Sequence, residues 1–266
     1  MPIRHKFESI PPNPPGINWD QQFQTRNGIL DIVPYEPEII IIGTFNPGLP
    51  WNDADFFYGR GMYMWTIMAN LFLHNGNVLF KRRNPVPPNN MPSLEEVFKI
   101  CQKGKLVFAD LILGTKKEIP TVIDAVQQSV RINGNYNWPD YKDVHLDYMG
   151  TQDWLDDNVE NIVKYIQSTS SIKHIYFTFK SGKWLVEKMN EVLAAFPNIP
   201  GCSLFTPSGN GFGKNFRAPF NKRAWSITHH WIWNNMNNPN VPVTHSDYGH
   251  LDHDWLISKG VIPGNF

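Results

Sequence analysis

Ile39-Ile40-Ile41-Ile42 runs straight into Gly43-Thr44-Phe45-Asn46-Pro47-Gly48-Leu49, four β-branched residues followed by a Gly/Pro turn that carries one amide side chain. A block of this kind reads as a strand covered on both faces. That is the pattern of a parallel sheet in an α/β protein, whose ligands gather outside the carboxyl ends of its strands. The reading places Asn46 at the mouth of the main crevice. Pro47 fixes one backbone angle and Gly48 lets the chain approach a ligand closely, so the turn is shaped in its backbone as well as its side chain. A second turn of the same type, Thr206-Pro207-Ser208-Gly209-Asn210-Gly211, follows the short apolar run Ser203-Leu204-Phe205.

At 266 residues and 41% hydrophobic content, the chain has enough apolar material for a sizeable core, since a domain of this length hides roughly three quarters of its unfolded surface. One domain over 1–266 is expected. No apolar run approaches the roughly 20 residues that span a bilayer, and the amino terminus does not resemble a signal peptide. A cytoplasmic, membrane-free protein is the expectation, most simply a monomer. The two cysteines, Cys101 and Cys202, have no paired spacing, which excludes a four-cysteine iron–sulfur or zinc site and fits a reducing compartment.

Lys plus Arg and Asp plus Glu both number 24, a formal net charge of zero, which argues against an indiscriminate polyanion binder. The distribution says more. No acid occurs from Phe56 through Leu94, a span holding Arg60, Lys81, Arg82 and Arg83, nor from Val192 through Ser246, a span holding Lys214, Arg217, Lys222 and Arg223. Each span follows or encloses one of the two turns, and acids crowd between Glu95 and Glu160. Convergence of the turns would therefore give one basic face at the cleft.

Periodicity predicts an extended, proline-rich arm over 1–28 wrapped on the surface, a core over 37–236 and a tail over 237–266. Within the core it predicts a strand near 37–43 and a helix from Tyr63 to Leu73 with Trp65, Ile67, Met68 and Leu71 on one stripe. Ser93 and Glu96 form a capping box for a helix to about Lys103. Leu106 to Ile112 reads as a second buried strand broken by one carboxylate, Asp110. Helices are expected at Asp153 to Gln167 and Gly182 to Ala195, with a strand at Ile172 to Thr178 between them. A strand at 202–206 and a helix from about Ala218 to Trp233 close the alternation.

Asn46-Pro47-Gly48-Leu49, Tyr58 twelve residues after Asn46, Trp65 nineteen after it, and the later Pro207-Ser208-Gly209 together resemble the uracil-DNA glycosylase superfamily. The similarity is nearest to the branch of mismatch-specific uracil- and thymine-DNA glycosylases, with its Gly-Ile-Asn-Pro-Gly-Leu and Asn-Pro-Ser-Gly motifs, and covers roughly 37–236. It implies a three-layer α/β/α sandwich with a mostly parallel central sheet. It also implies a monofunctional DNA glycosylase without metal or cofactor, acting in repair or in defence against viral DNA with hypermodified bases. Asn46 carries over as the catalytic residue that orients the attacking water. Gly43, Phe45, Pro47, Gly48, Tyr58, Asp110, Thr206 and Ser208 would bind substrate, with Phe45 and Tyr58 supplying a stacking face for the flipped base. Asn210, Phe212, Lys214, Arg217, Lys222 and Arg223 would meet DNA, with Phe212 or Phe216 filling the hole left by the base.

The chain departs from the family pattern at Gly59-Arg60-Gly61-Met62, where the family has His-Pro-x-Asn, and at Thr206, where it has Asn. Two glycines would enlarge the pocket, so a modified or bulky pyrimidine suits it as well as uracil. Other readings stay open. One is a catalytically silent DNA- or modified-base-binding protein of the same fold. Another is a metal-dependent hydrolase built on His245, His250 and His253 with Asp247, Asp252 and Asp254, since imidazole and carboxylate both suit zinc. His229 and His230, on a Trp-rich stretch, read as structural.

Overall fold

The computed structural model describes residues 2–8, 19, 21–50, 52, 54–60, 63–74, 91–116, 141–204 and 251–258. The block that opens the turn is β3, Ile39–Gly43, buried at every position. Removing one such isoleucine side chain from water is worth about 1.5–3 kcal/mol, and both faces of this strand are used. β3 lies in the middle of a six-stranded sheet. Its parallel neighbours are β4 (Leu106–Asp110) and β7 (His174–Phe177), and β7 carries the parallel edge strand β8 (Gly201–Ser203). On the other edge β1 (Gln24–Arg26) and β2 (Ile29–Ile32) form an antiparallel hairpin, joined antiparallel to β4. The protein is thus mixed α/β with a mostly parallel central sheet.

Chain order places β4 on one side of β3 and the later β7 on the other. Where two successive connections leave a strand in opposite directions, their loops part and a crevice opens at the carboxyl ends. Register fixes which residues meet there: Gly43 stands opposite Asp110, and Ile42 opposite Phe177, so Thr178 leaves its strand level with Gly43.

The helices α1 (Tyr63–Leu73) and α2 (Leu94–Gly104) match the periodicity. Ser93 and Glu96 complete the expected capping box, satisfying two backbone N–H groups reciprocally. Trp65 is fully buried among Phe56 and Phe108.

Two local expectations change. The predicted strand 106–112 ends at Asp110, and Ile112–Thr115 becomes β5, paired antiparallel with β6 (Leu155–Asp157) in a second, two-stranded sheet. Leu111 and Ile112 stay fully buried through the bend, which is why the apolar run continues across it. The helix expected from Asp153 begins only at Val159 (α4, Val159–Ser168), because 155–157 is taken up by β6, while a separate helix α3 occupies Asp143–Thr151. After β7 comes α5, Lys183–Ala194, and near the carboxyl end α6, His253–Ser258.

The arm is also more than a surface wrap. Ile3, His5 and Phe7 are buried while Arg4 and Lys6 between them are not. This alternation of period two lets residues 3–6 run as a strap between β5 and the turn after β3. Thr115 N–H donates to Ile3 O at 2.8 Å, His5 N–H to Leu113 O at 2.7 Å, Lys6 N–H to Asn46 O at 2.7 Å and Gly48 N–H to Arg4 O at 2.8 Å. Among the described residues no helix is long and apolar enough to cross a membrane.

Candidate active site

A cleft of about 330 Å³ opens at the carboxyl ends of β3, β4 and β7. Thr44, Phe45 and Asn46 enter it from the β3 turn, Asp110 from β4, and Thr178 and Phe179 from the end of β7. Asn52, Ala54, Phe57, Tyr58 and Gly59 close one side, and Asp143, at the start of α3, closes another.

Asn46 is held from its amide nitrogen. Nδ2 donates to Phe57 O at 2.8 Å and to Asp110 Oδ2 at 2.6 Å. Both partners are oxygens that only accept, so the amide orientation is chemically required. Both N–H groups are used, and Oδ1 remains as the acceptor.

Asp110 is buried, and a second donor reaches it from the strap: His5 Nε2 lies 2.8 Å from Asp110 Oδ2. Phe7 N–H donates to His5 Nδ1 at 3.0 Å, which fixes the ring proton on Nε2 and makes the imidazole a donor to the carboxylate. Both bonds fall on Oδ2, and Oδ1 receives none from the described residues. Behind it, Asn158 Nδ2 donates to Asp110 O at 2.9 Å and locks the backbone at the strand end.

Gly43 makes this arrangement possible. A Cβ there would lie 2.2 Å from Asp110 Oδ1 and 3.0 Å from the Tyr58 hydroxyl. The Tyr58 hydroxyl pairs with Thr178 Oγ1 at 2.8 Å. Burial, reinforced by the nearby Asp110 charge, pushes its pKa well above the usual tyrosine range, so Tyr58 works as a hydroxyl and not as a phenolate. Trp65 Nε1 donates to Tyr58 O at 2.7 Å, so the indole of α1 anchors that wall. Opposite, Thr44 Oγ1 donates to Asp143 Oδ1 at 3.1 Å. Burial raises the Asp143 pKa above its ordinary value, against the lowering effect of the Thr44 hydroxyl.

Of the residues singled out in the sequence, Asn46, Phe45, Tyr58 and Asp110 meet in this cleft, with Gly43 directly beneath. Phe45 also sets its ring against Tyr141, 5.6 Å between centroids, and Tyr58 sets its ring edge-on to Phe108 at 6.3 Å. Pro47 and Gly48 turn away from the cleft: Pro47 bridges His5, and a Cβ on Gly48 would lie 3.0 Å from Arg4 O. Their shape serves the strap.

Arg60 is engaged by Asp55 at 2.5 Å and by Pro92 O at 3.3 Å, so this cation of the first acid-free span is spent within the protein. Thr206, Ser208, Asn210, Phe212, Lys214, Phe216, Arg217, Lys222 and Arg223 lie outside the described residues, as do His229, His230, His245 and His250. Among the described residues no group of three or more His, Cys, Asp or Glu could hold a metal ion. Of the histidine tail, His253 begins α6 and Asp252 Oδ2 lies 3.6 Å from His74 Nε2.

Sequence reasoning missed His5, Thr44, Asp143 and Thr178. His5 had a signal, the alternation Ile3-Arg4-His5-Lys6-Phe7. Asp143 had none, because its place depends on α3 packing across the sheet end. The chain matches no family model, no curated protein and no solved structure.

Proposed function

We propose that the protein is a monofunctional DNA glycosylase, which flips a damaged or modified base, most naturally a pyrimidine, into this cleft and hydrolyses its N-glycosidic bond. The observation that supports the reading best is the state of Asn46. With both N–H groups bound to Phe57 O and Asp110 Oδ2, its Oδ1 is the acceptor left for a water proton, in a pocket walled by aromatic rings at the ends of three parallel strands. An amide is a weak base, so the water must meet a sugar already losing its base. The C1′–N bond breaks with its electron pair going to the base, the water oxygen bonds to C1′, and the displaced water proton passes to solvent. Extrusion of the nucleotide costs a few kcal/mol. Stacking on rings such as Phe45 and Tyr58, worth about 1–3 kcal/mol per base, offsets it.

In this reading the sheet and its helices form the three-layer α/β/α sandwich of the uracil-DNA glycosylase superfamily. The turn at 206–211 and the basic residues from Lys214 to Arg223 press on the DNA backbone of a monomeric, cytoplasmic enzyme. Its setting is repair or defence against viral DNA with hypermodified bases. The test is incubation of the protein with oligonucleotides carrying uracil, thymine mispairs, hypoxanthine and modified cytosines, followed by alkali cleavage at abasic sites. Asn46→Ala should lower single-turnover excision about 100-fold or more, since loss of reacting geometry alone costs that much, and should leave DNA affinity nearly unchanged. Equal rates for variant and parent would remove Asn46 from the chemistry.

A further inference from the structure

We infer that the pocket selects a base of the cytosine type, read through its exocyclic amino group by the carboxylate of Asp110. The inference rests on the base-flipping reading above and adds to it the identity of the base.

Among the described residues the polar surface of the cleft is one-sided. Asn46 has both N–H groups occupied and offers only Oδ1. Asp110 takes its two donors on Oδ2, and Oδ1 of this buried side chain, 3% exposed, has no donor among the described residues. Asp143 already accepts from Thr44 and brings a second carboxyl group to the wall. Among the described residues no lysine, arginine or histidine belongs to the lining. Tyr58 and Thr178 are ambivalent hydroxyls engaged with each other.

A uracil or thymine presents an oxygen at position 4, an acceptor, whereas cytosine presents an amino group with two hydrogens there, and a carboxylate accepting from that amino group is the matching partner. Set against an oxygen, Asp110 Oδ1 would face a second acceptor. Such mismatches are rejected strongly when the buried group is left unpaired. The cleft of about 330 Å³ has Gly59 in its wall, which leaves room for a substituent at position 5 of the ring. Gly43, with no side chain to displace Oδ1, keeps the carboxylate at the floor.

The experiment compares bases that differ only at position 4: cytosine against uracil, and 5-hydroxymethylcytosine against 5-hydroxymethyluracil, each in the same oligonucleotide. Single-turnover release is measured, and binding of the four free nucleobases is measured by calorimetry. The 4-amino member of a pair should be released, and its free base bound, about 10- to 100-fold better. Asp110→Asn keeps the size of the side chain and can donate, and should bring the ratio to within about threefold or reverse it. If that variant does not fold, the ratios of the unaltered protein decide the matter. Release that favours the 4-oxo member, or favours neither, overturns the inference while leaving the glycosylase reading intact. Preferential binding of free 5-hydroxymethylcytosine without release of any base supports the inference and overturns the glycosylase reading.

Discussion

Gly43 and Asp110 face each other across the β3–β4 register, and the fit is close enough that one methyl group would displace a carboxylate oxygen. Gly43→Ala is expected to fold with a loss of about 1–3 kcal/mol from overpacking. It should lose excision by about 100-fold, because Asp110 and with it Asn46 move. Thermal unfolding and single-turnover rates on the same sample check both halves. Asp143 makes a separate prediction. Its folded-state pKa lies above the ordinary 3.8, so the stability contributed by its neutral form is complete below pH 3.8 and is lost as pH rises through the shifted value. Asp143→Asn removes that loss. Its Tm should exceed the parent's at pH 7, with the gap closing as pH falls below about 4. At this scale Asn46, Phe45, Tyr58 and Asp110 were legible because each follows from a local strand end or turn. His5 reaches Asp110, and Asp143 the cleft wall, from 105 and 33 residues away from Asp110 along the chain, a relation that no local pattern encodes.

Among the elements, the strap at 3–6 is the least expected and ties the site turn to the second sheet. His5→Phe keeps a ring beside Phe7, Phe45 and Phe57 but leaves Asp110 Oδ2 with Asn46 as its one side-chain donor among the described residues and takes away the acceptor of the Phe7 N–H. A stability loss of about 1–3 kcal/mol is expected, with a fall in excision larger than the fall in DNA affinity. A denaturant midpoint unchanged from the parent would mean that the strap does not hold the carboxylate. The Asn27-Gly28 pair, with φ of 50° and 62°, is the hairpin signal between β1 and β2, and it ends the arm earlier than the proline-rich composition implies. α1, α2 and α5 were readable from periodicity and capping. β5 and β6 were not, because they pair with each other across about 40 residues and β5 pairs further with the strap at 3–6, and the apolar content of Leu111 and Ile112 hides the break after Asp110.

At the scale of the whole molecule, the parallel order β4-β3-β7-β8 concentrates three strand ends around one cleft, the consequence drawn from four isoleucines and a Gly/Pro turn. The second turn and the basic span behind it lie outside the described residues, so their convergence on the cleft is part of the functional proposal. On that proposal, a net charge of zero leaves DNA binding to the basic residues Lys214, Arg217, Lys222 and Arg223. The most direct measurement is mass spectrometry of small molecules released when stoichiometric protein meets an oligonucleotide carrying 5-hydroxymethylcytosine, with borohydride added in a parallel sample. Base excision at this site should give one intact free base per oligonucleotide, a matching abasic site, no protein–DNA adduct trapped by borohydride, and release reduced about 100-fold in Asn46→Ala. Intact oligonucleotide with no free base, from this substrate and from its uracil, thymine-mispair and hypoxanthine counterparts alike, would contradict base excision at this site.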